Sequence, residues 1–160
     1  MTIWVEEVDD AEPAAGALFR RAFGHPIPTF PRHFVGFGRD ARGVPQVAGY
    51  VHYTAWETTA WLCGGLCVDS DAYARAAPED AAQWKRAGGI GEIILRETFA
   101  LLRDRPAIFG TCGDPKQWQH DLNVGFEPAG PPLLLVHWTR PLPESERQRL
   151  IAQIAALPRF

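Results

Sequence analysis

The stretch Lys85-Arg86-Ala87-Gly88-Gly89-Ile90-Gly91 (KRAGGIG) sets three glycines beside two cations, directly ahead of EIILRETFALL at 92–102. A helix start leaves backbone N–H groups without partners, and the aligned peptide dipoles make that end partly positive. Glycine lets an anion approach the backbone closely. Arg86 adds a forked donor suited to phosphate oxygens. The stretch therefore has the parts of a pyrophosphate cradle. A Walker loop would end in Gly-Lys-Ser or Gly-Lys-Thr, which is absent. A dinucleotide fingerprint would need a glycine where Ile94 stands, and a strand directly before it. What remains is Arg-x-x-Gly-x-Gly, from Arg86 to Gly91. The plainer reading is a glycine-rich turn between two helices, with Arg86 in solvent.

Working outward, the chain has 160 residues, 46% hydrophobic and 22% charged, which fits one soluble α/β domain with a real core. The net charge of −3 supplies no basic field, so neither nucleic acid nor an anionic membrane is expected as a partner. No apolar run reaches the roughly 18 residues of a membrane span. MTIWVEEVDD lacks the basic and apolar regions of a signal peptide. Three cysteines fit a reducing compartment, and a cytoplasmic location is expected.

TIWVEEV alternates like a strand, and EPAAGALFRRAFG like a helix stopped by Gly24. HPIPTFPRHF, with three prolines, reads as an ordered loop or a single turn. HFVGFGRD and QVAGYVHYTAWET form a hairpin about ARGVP, and AWLCGGLCVDS is a third strand with a bulge at Gly64-Gly65. Residues 69–84 are Ala-rich and acidic, with a helix start at Pro78. After the glycines come a helix to RDRP, a strand AIFGTC, and a short helix from Asp114 to Gly125. FEPAGPPLLLVHWTR supplies one or two closing strands. Leu150, Ile151, Ile154 and Leu157 form one face of a final amphipathic helix. The expected fold is a mixed α/β sheet flanked by helices, spanning 1–140, with a C-terminal helix in 141–160.

Arg-x-x-Gly-x-Gly after LCVDS and before EIILRETFALL, followed by AIFGTC, a short helix and NVGFEP, resembles the GNAT superfamily of acyl-CoA N-acyltransferases. The likeness covers about residues 3–140. It implies acetyl-CoA or another acyl-CoA as cofactor and the amine of a small molecule as acceptor. Carried over, Leu66, Cys67 and Val68 would offer backbone groups to pantetheine. The amides of Ala87, Gly88, Gly89, Ile90 and Gly91, with the Arg86 side chain, would hold the pyrophosphate. Gly64-Gly65 would sit at the family's strand bulge, where an N–H polarises the thioester carbonyl.

An amine acceptor with a pKa of about 10.4 is mostly protonated at neutral pH and needs a base, and the leaving thiolate an acid. The family's acid is a tyrosine four residues before Gly-Phe. Asp121 stands there, beside His120. Either residue would replace the tyrosine, or the thiolate leaves unassisted, or the protein is a non-catalytic acyl-CoA-binding or interaction module. Base candidates are Glu57, His52 and His137. A second departure is the length between Val68 and Arg86. It implies an extra helix over about 70–84 that covers the cofactor, shapes a pocket, mediates dimerisation or decorates the surface.

GTCGD (110–114) mimics a nucleophile elbow with Cys112, which would require His120 or His137 as partner. Cys112 reads equally as a small buried residue at a strand end. No Cys or His spacing completes a zinc site, so no metal is expected. The acceptor would enter over His25 to Phe34 and Tyr50 to Trp61, an aromatic lining suited to a small or partly apolar molecule. A homodimer, if formed, would use the C-terminal helix, whose apolar face could equally cap its own sheet.

Overall fold

Each strand of the chain shows its alternation directly. Phe34 and Val51 turn to one apolar cluster, and their neighbours Val35 and Tyr50 to another on the opposite face. In the computed structural model, which describes residues 3–160, these strands form one seven-stranded mixed sheet of order β1-β2-β3-β4-β5-β7-β6. The strands are β1 (Trp4–Val8), β2 (Arg32–Arg39), β3 (Pro45–Trp56), β4 (Ala60–Val68), β5 (Ala107–Thr111), β6 (Glu127–Pro128) and β7 (Leu134–Trp138). β1 to β4 run antiparallel as a meander, β4 and β5 are parallel, and β5, β7 and β6 are antiparallel again.

Helix α1 (Glu12–Phe23) carries Pro13 in its first turn and ends at Gly24, whose φ of 77° permits the left-handed cap. Its Ala15, Leu18 and Phe19 cover Val35, Tyr50 and Cys67. Residues 24–31 form no regular element, as three prolines dictate. The segment after β4 is two helices, α2 (Asp71–Arg75) and α3 (Pro78–Arg86). This corrects the single helix expected over 70–84. Pro78 disfavours helical geometry at Ala77, which is extended (ψ 143°), so the segment breaks there and restarts. Trp84 of α3 is buried in the core, so the insertion is not mere decoration.

Helix α4 (Ile90–Leu101) lies on the same face as α3. Gly36 and Gly49 are partners across β2 and β3, and a β-carbon on either would meet Ile94 Cδ1 at 2.5 or 2.6 Å. Ile94 thus sits in a notch that only two glycines leave open. Helix α5 (Pro115–Asn123) starts as expected, with the Asp114 carboxylate accepting from the Lys116 amide at 2.9 Å.

Helix α6 (Glu144–Ala155) packs on the face opposite α4, burying Leu150, Ile151 and Ile154 against Leu62, Phe109, Leu134 and Val136. Of the two roles left open for that apolar face, it takes the capping of the chain's own sheet. No helix among the described residues is long and apolar enough to cross a membrane. Ile154→Ala should destabilise the protein by about 2–5 kcal/mol in urea titration. A chain ending at Arg140 should lose at least as much stability, because the helix is part of the core.

Candidate functional site

The site begins with a failure of strand pairing. β4 and β5 are in register only at Ala60–Ala107, Trp61–Ile108 and Leu62–Phe109. Beyond Leu62, β4 follows β3 and β5 follows β7. Gly64 and Gly65 lie at the point of divergence. The β3–β4 register shifts between Tyr50 and His52, and Gly65 takes φ 65°, so the expected bulge is present. From Cys63 to Val68, one edge of β4 has no strand partner.

Two cavities meet at this divergence. One, of about 290 Å³, opens on the α4–α5 face and is lined by Cys63, Leu66, Leu95, Cys112, Gln117 and Asp121, among others. The second, of about 610 Å³, opens on the α1–α6 face against Phe19, Phe23, His25, Phe30, His52 and Thr54. Phe23, Gly64, Gly65, Arg159 and Phe160 line both. Phe160 is anchored there by the Thr111 hydroxyl, which donates to its backbone oxygen at 2.6 Å.

His52 stands on the second side of the gap. A β-carbon on Gly64 or Gly65 would lie 2.9 or 2.5 Å from its ring, so the two glycines give the imidazole its place. Its Nδ1 is 3.2 Å from the Tyr50 hydroxyl, itself 2.7 Å from His33 Nδ1. A hydroxyl has one proton, so Tyr50 donates to one ring and accepts from the other. Burial, then the neighbouring His33 and His25, lowers His52 to about 4, leaving a neutral imidazole at neutral pH.

Asp121 faces the first cavity and is buried. Gln117 Nε2 donates to it at 2.8 Å. Burial raises its carboxyl above the usual range, outweighing the Gln117 and Cys112 bonds that oppose the rise. His120, one position earlier on the helix, points elsewhere. Its Nδ1 meets Glu92 Oε1 at 2.7 Å, and it lines neither cavity. Glu57 lies exposed in the β3–β4 turn with φ 47°, away from both cavities, because the hairpin extends well past the bulge. His137 is bonded to the Gly125 carbonyl at 3.0 Å and stacked on Phe99. Of the base candidates, His52 alone reaches the gap.

The nucleophile-elbow reading of Cys112 also fails on geometry. Its thiol donates to the Asp114 carbonyl at 3.3 Å, no histidine is bonded to it, and burial raises its pKa. No group of three or more His, Cys, Asp or Glu among the described residues could hold a metal ion.

The glycine loop departs furthest from expectation. Helix α3 runs through Arg86, so the amides of Ala87, Gly88 and Gly89 bond back to the carbonyls of Gln83, Lys85 and Trp84. Gly88 and Gly89, at φ 99° and 100°, make this helix-ending turn. The Ile90 amide donates to the Tyr73 hydroxyl at 3.0 Å. Four of the five amides assigned to a pyrophosphate are thus already bonded, and Arg86 is an exposed side chain at the end of α3. The amides of Gly91 and Glu92 keep no hydrogen-bond partner among the described residues. A β-carbon on Gly91 would touch Val68 Cγ2 at 3.4 Å and Leu66 Cδ2 at 3.9 Å. The helix start therefore abuts the open edge of β4. The amides of Gly91, the last of the five, and of Glu92 form a small seat of unpaired donors at that helix start.

Glu92 is buried behind this seat, beside Gly88, and receives bonds from Asn123, His120 and Arg96 at 3.0, 2.7 and 2.8 Å. Burial alone would raise its carboxyl, but the three bonds and the Arg96 charge together hold it below the usual range. An acid in the third position of a helix was the signal for it.

The chain is similar to solved acetyltransferase structures. An IAA acetyltransferase from Bacillus cereus is 15% identical, with TM-score 0.59 over 79% of this chain and 77% of that one. A GNAT family acetyltransferase from Elizabethkingia anophelis with acetyl-CoA bound is 12% identical, with TM-score 0.59 over 85% and 97%. A KacTA–DNA complex is 16% identical, with TM-score 0.57 over 95% and 99%. No family model matches the chain, and no curated protein does. The fold is that of the GNAT superfamily.

The His52 environment carries a pH signature. Its unfolded imidazole takes up a proton near 6.5 and its folded one near 4, so between these values the unfolded state binds more protons. Its contribution to stability is full above pH 6.5 and is lost as pH falls toward 4. Urea titrations at pH 7 and pH 4.5 should show a smaller acid loss for His52→Gln than for the native chain.

Proposed function

We propose that the protein is an acyl-CoA-dependent N-acyltransferase, with acetyl-CoA the first donor to test and a small-molecule amine as acceptor. The single observation that carries this reading is the meeting of two cavities at the β4 bulge, one holding Asp121 and the other His52. Such a gap brings two substrates together from opposite faces of one sheet.

An acyl-CoA bound there supplies an acyl carbon whose bond to sulfur breaks as its bond to the amine nitrogen forms. The open edge from Leu66 to Val68 offers backbone groups to the pantetheine arm. The amides of Gly91 and Glu92 offer donors to the diphosphate, with Lys85 and Arg86 exposed in the last turn of α3. The bulge turns backbone N–H groups toward the reacting carbonyl, where a donor counts most once charge develops.

His52, neutral at pH 7 and standing at the bulge, accepts the proton shed by the attacking nitrogen. Asp121 occupies the position of the family's tyrosine. Burial raises its pKa above the usual carboxylate range, the direction that suits a donor of a proton to the departing sulfur. The two residues stand on opposite sides of the β4 bulge, where a base would face the attacking nitrogen and an acid the departing sulfur.

Thiol release from acetyl-CoA over a broad amine panel tests the reading. Asp121→Asn should lower kcat by about 100-fold or more while CoA still protects the protein thermally. Gly91→Leu, which fills the space between α4 and β4, should abolish that protection. Below neutral pH, kcat/KM should follow the ionisation of the amine and show no limb near 6.5. CoA protection without release of thiol across the panel would identify a binding module instead.

A further inference from the structure

The larger cavity has a composition that selects its ligand. Phe19, Phe23, Phe30 and Pro28 form an apolar wall, with His25, His52 and Thr54 beside them. Phe30 is 77% exposed and Phe23 43%, so the wall presents large aromatic surface to solvent that nothing in the chain covers. Exposed aromatic area of this kind, gathered on one concavity, is a ligand-facing surface.

No Asp or Glu side chain lines that cavity, so an acceptor with extra ammonium groups meets no acidic side chain there. Arg159 does line it, and its guanidinium makes no hydrogen bond or ion pair among the described residues. The side chain lies against Gly113, where a β-carbon would be 2.8 Å from Nη2. The neighbouring residue is fixed by the Thr111–Phe160 hydrogen bond. An unpaired guanidinium held beside a cavity is a seat for a carboxylate, which it grips with two parallel donors.

We propose that the acceptor is an apolar amino acid, carrying its amine and a carboxylate on one end and an aromatic or bulky aliphatic body on the other. The carboxylate pairs with Arg159, the body lies on Phe19, Phe23 and Phe30, and the amine faces His52 at the bulge. This deepens the acyl-transfer reading and rests on it for the fate of the amine, but the carboxylate seat stands on its own residues.

Two measurements test it. In the first, thiol release from acetyl-CoA is compared for phenylalanine, phenylalaninamide and phenethylamine. The native chain should favour phenylalanine by at least tenfold in kcat/KM over either neutral-ended amine. Arg159→Gln should bring the ratio near one through KM, and Arg159→Lys should restore part of it. Equal or better use of phenethylamine by the native chain would overturn the proposal while leaving the transferase intact. In the second, binding of N-acetylphenylalanine and of its amide is followed by NMR without any thioester. Selective binding of the acid, lost in Arg159→Gln, supports the seat even if no amine is ever acylated. No preference for the acid in this assay overturns it.

Discussion

The backbone of β4 sets the terms for the rest of the molecule. A strand inside a sheet has hydrogen-bonding groups on both edges, and burying them without partners is costly. β4 satisfies both edges as far as Leu62, then keeps β3 and lets β5 go. The glycine bulge makes that departure sterically easy, and the two sides of the sheet then communicate through it. Helix α1 and the residues Arg159 and Phe160 beyond α6 border one mouth of the opening, and α4 and α5 the other. His52 lines the first of these mouths and Asp121 the second, on either side of one shared opening.

That shared opening explains the electrostatics on both sides. Low polarity disfavours charge of either sign, so it pulls the histidine down and pushes the carboxyl up. The same cause acts on Cys63 and Cys67 beside the bulge, both pushed to about 12. These thiols are inert packing groups, which leaves the gap free of a competing nucleophile. Tyr50, between two imidazoles, orders the proton positions without contributing a charge.

Much of the fold was legible because local chemistry and tertiary packing agree. Gly24, Asp114 and Gly125 end or begin helices where their types require, and Gly64-Gly65 makes the bulge. The GNAT likeness read from GFEP and the element order matches the sheet. The glycine loop was legible only in part, because Arg-x-x-Gly-x-Gly is compatible with free amides and with a helix-ending turn. What separates them is the preceding helix, whose carbonyls claim the glycine amides, and Tyr73, seventeen residues from the amide it caps. Phe160 lies 49 positions from its partner Thr111 on β5, and Arg159 lies against Gly113 just past that strand, both beyond any local pattern. His33 was within reach, since the hairpin register pairs it with His52. The pairing of His120 with Glu92 was not, because helix phase alone does not say which neighbour turns inward.

The seat of Ile94 in the notch of Gly36 and Gly49 has an architectural corollary. It keys α4 to the sheet less than one turn from Gly91, so the span from the helix mouth to the bulge is dictated by strand geometry. The connection arriving from β4 shares that duty: Trp84 is buried in the same core and the Tyr73 hydroxyl caps the Ile90 amide, so it braces the two ends it joins and is no slack cable between fixed terminals.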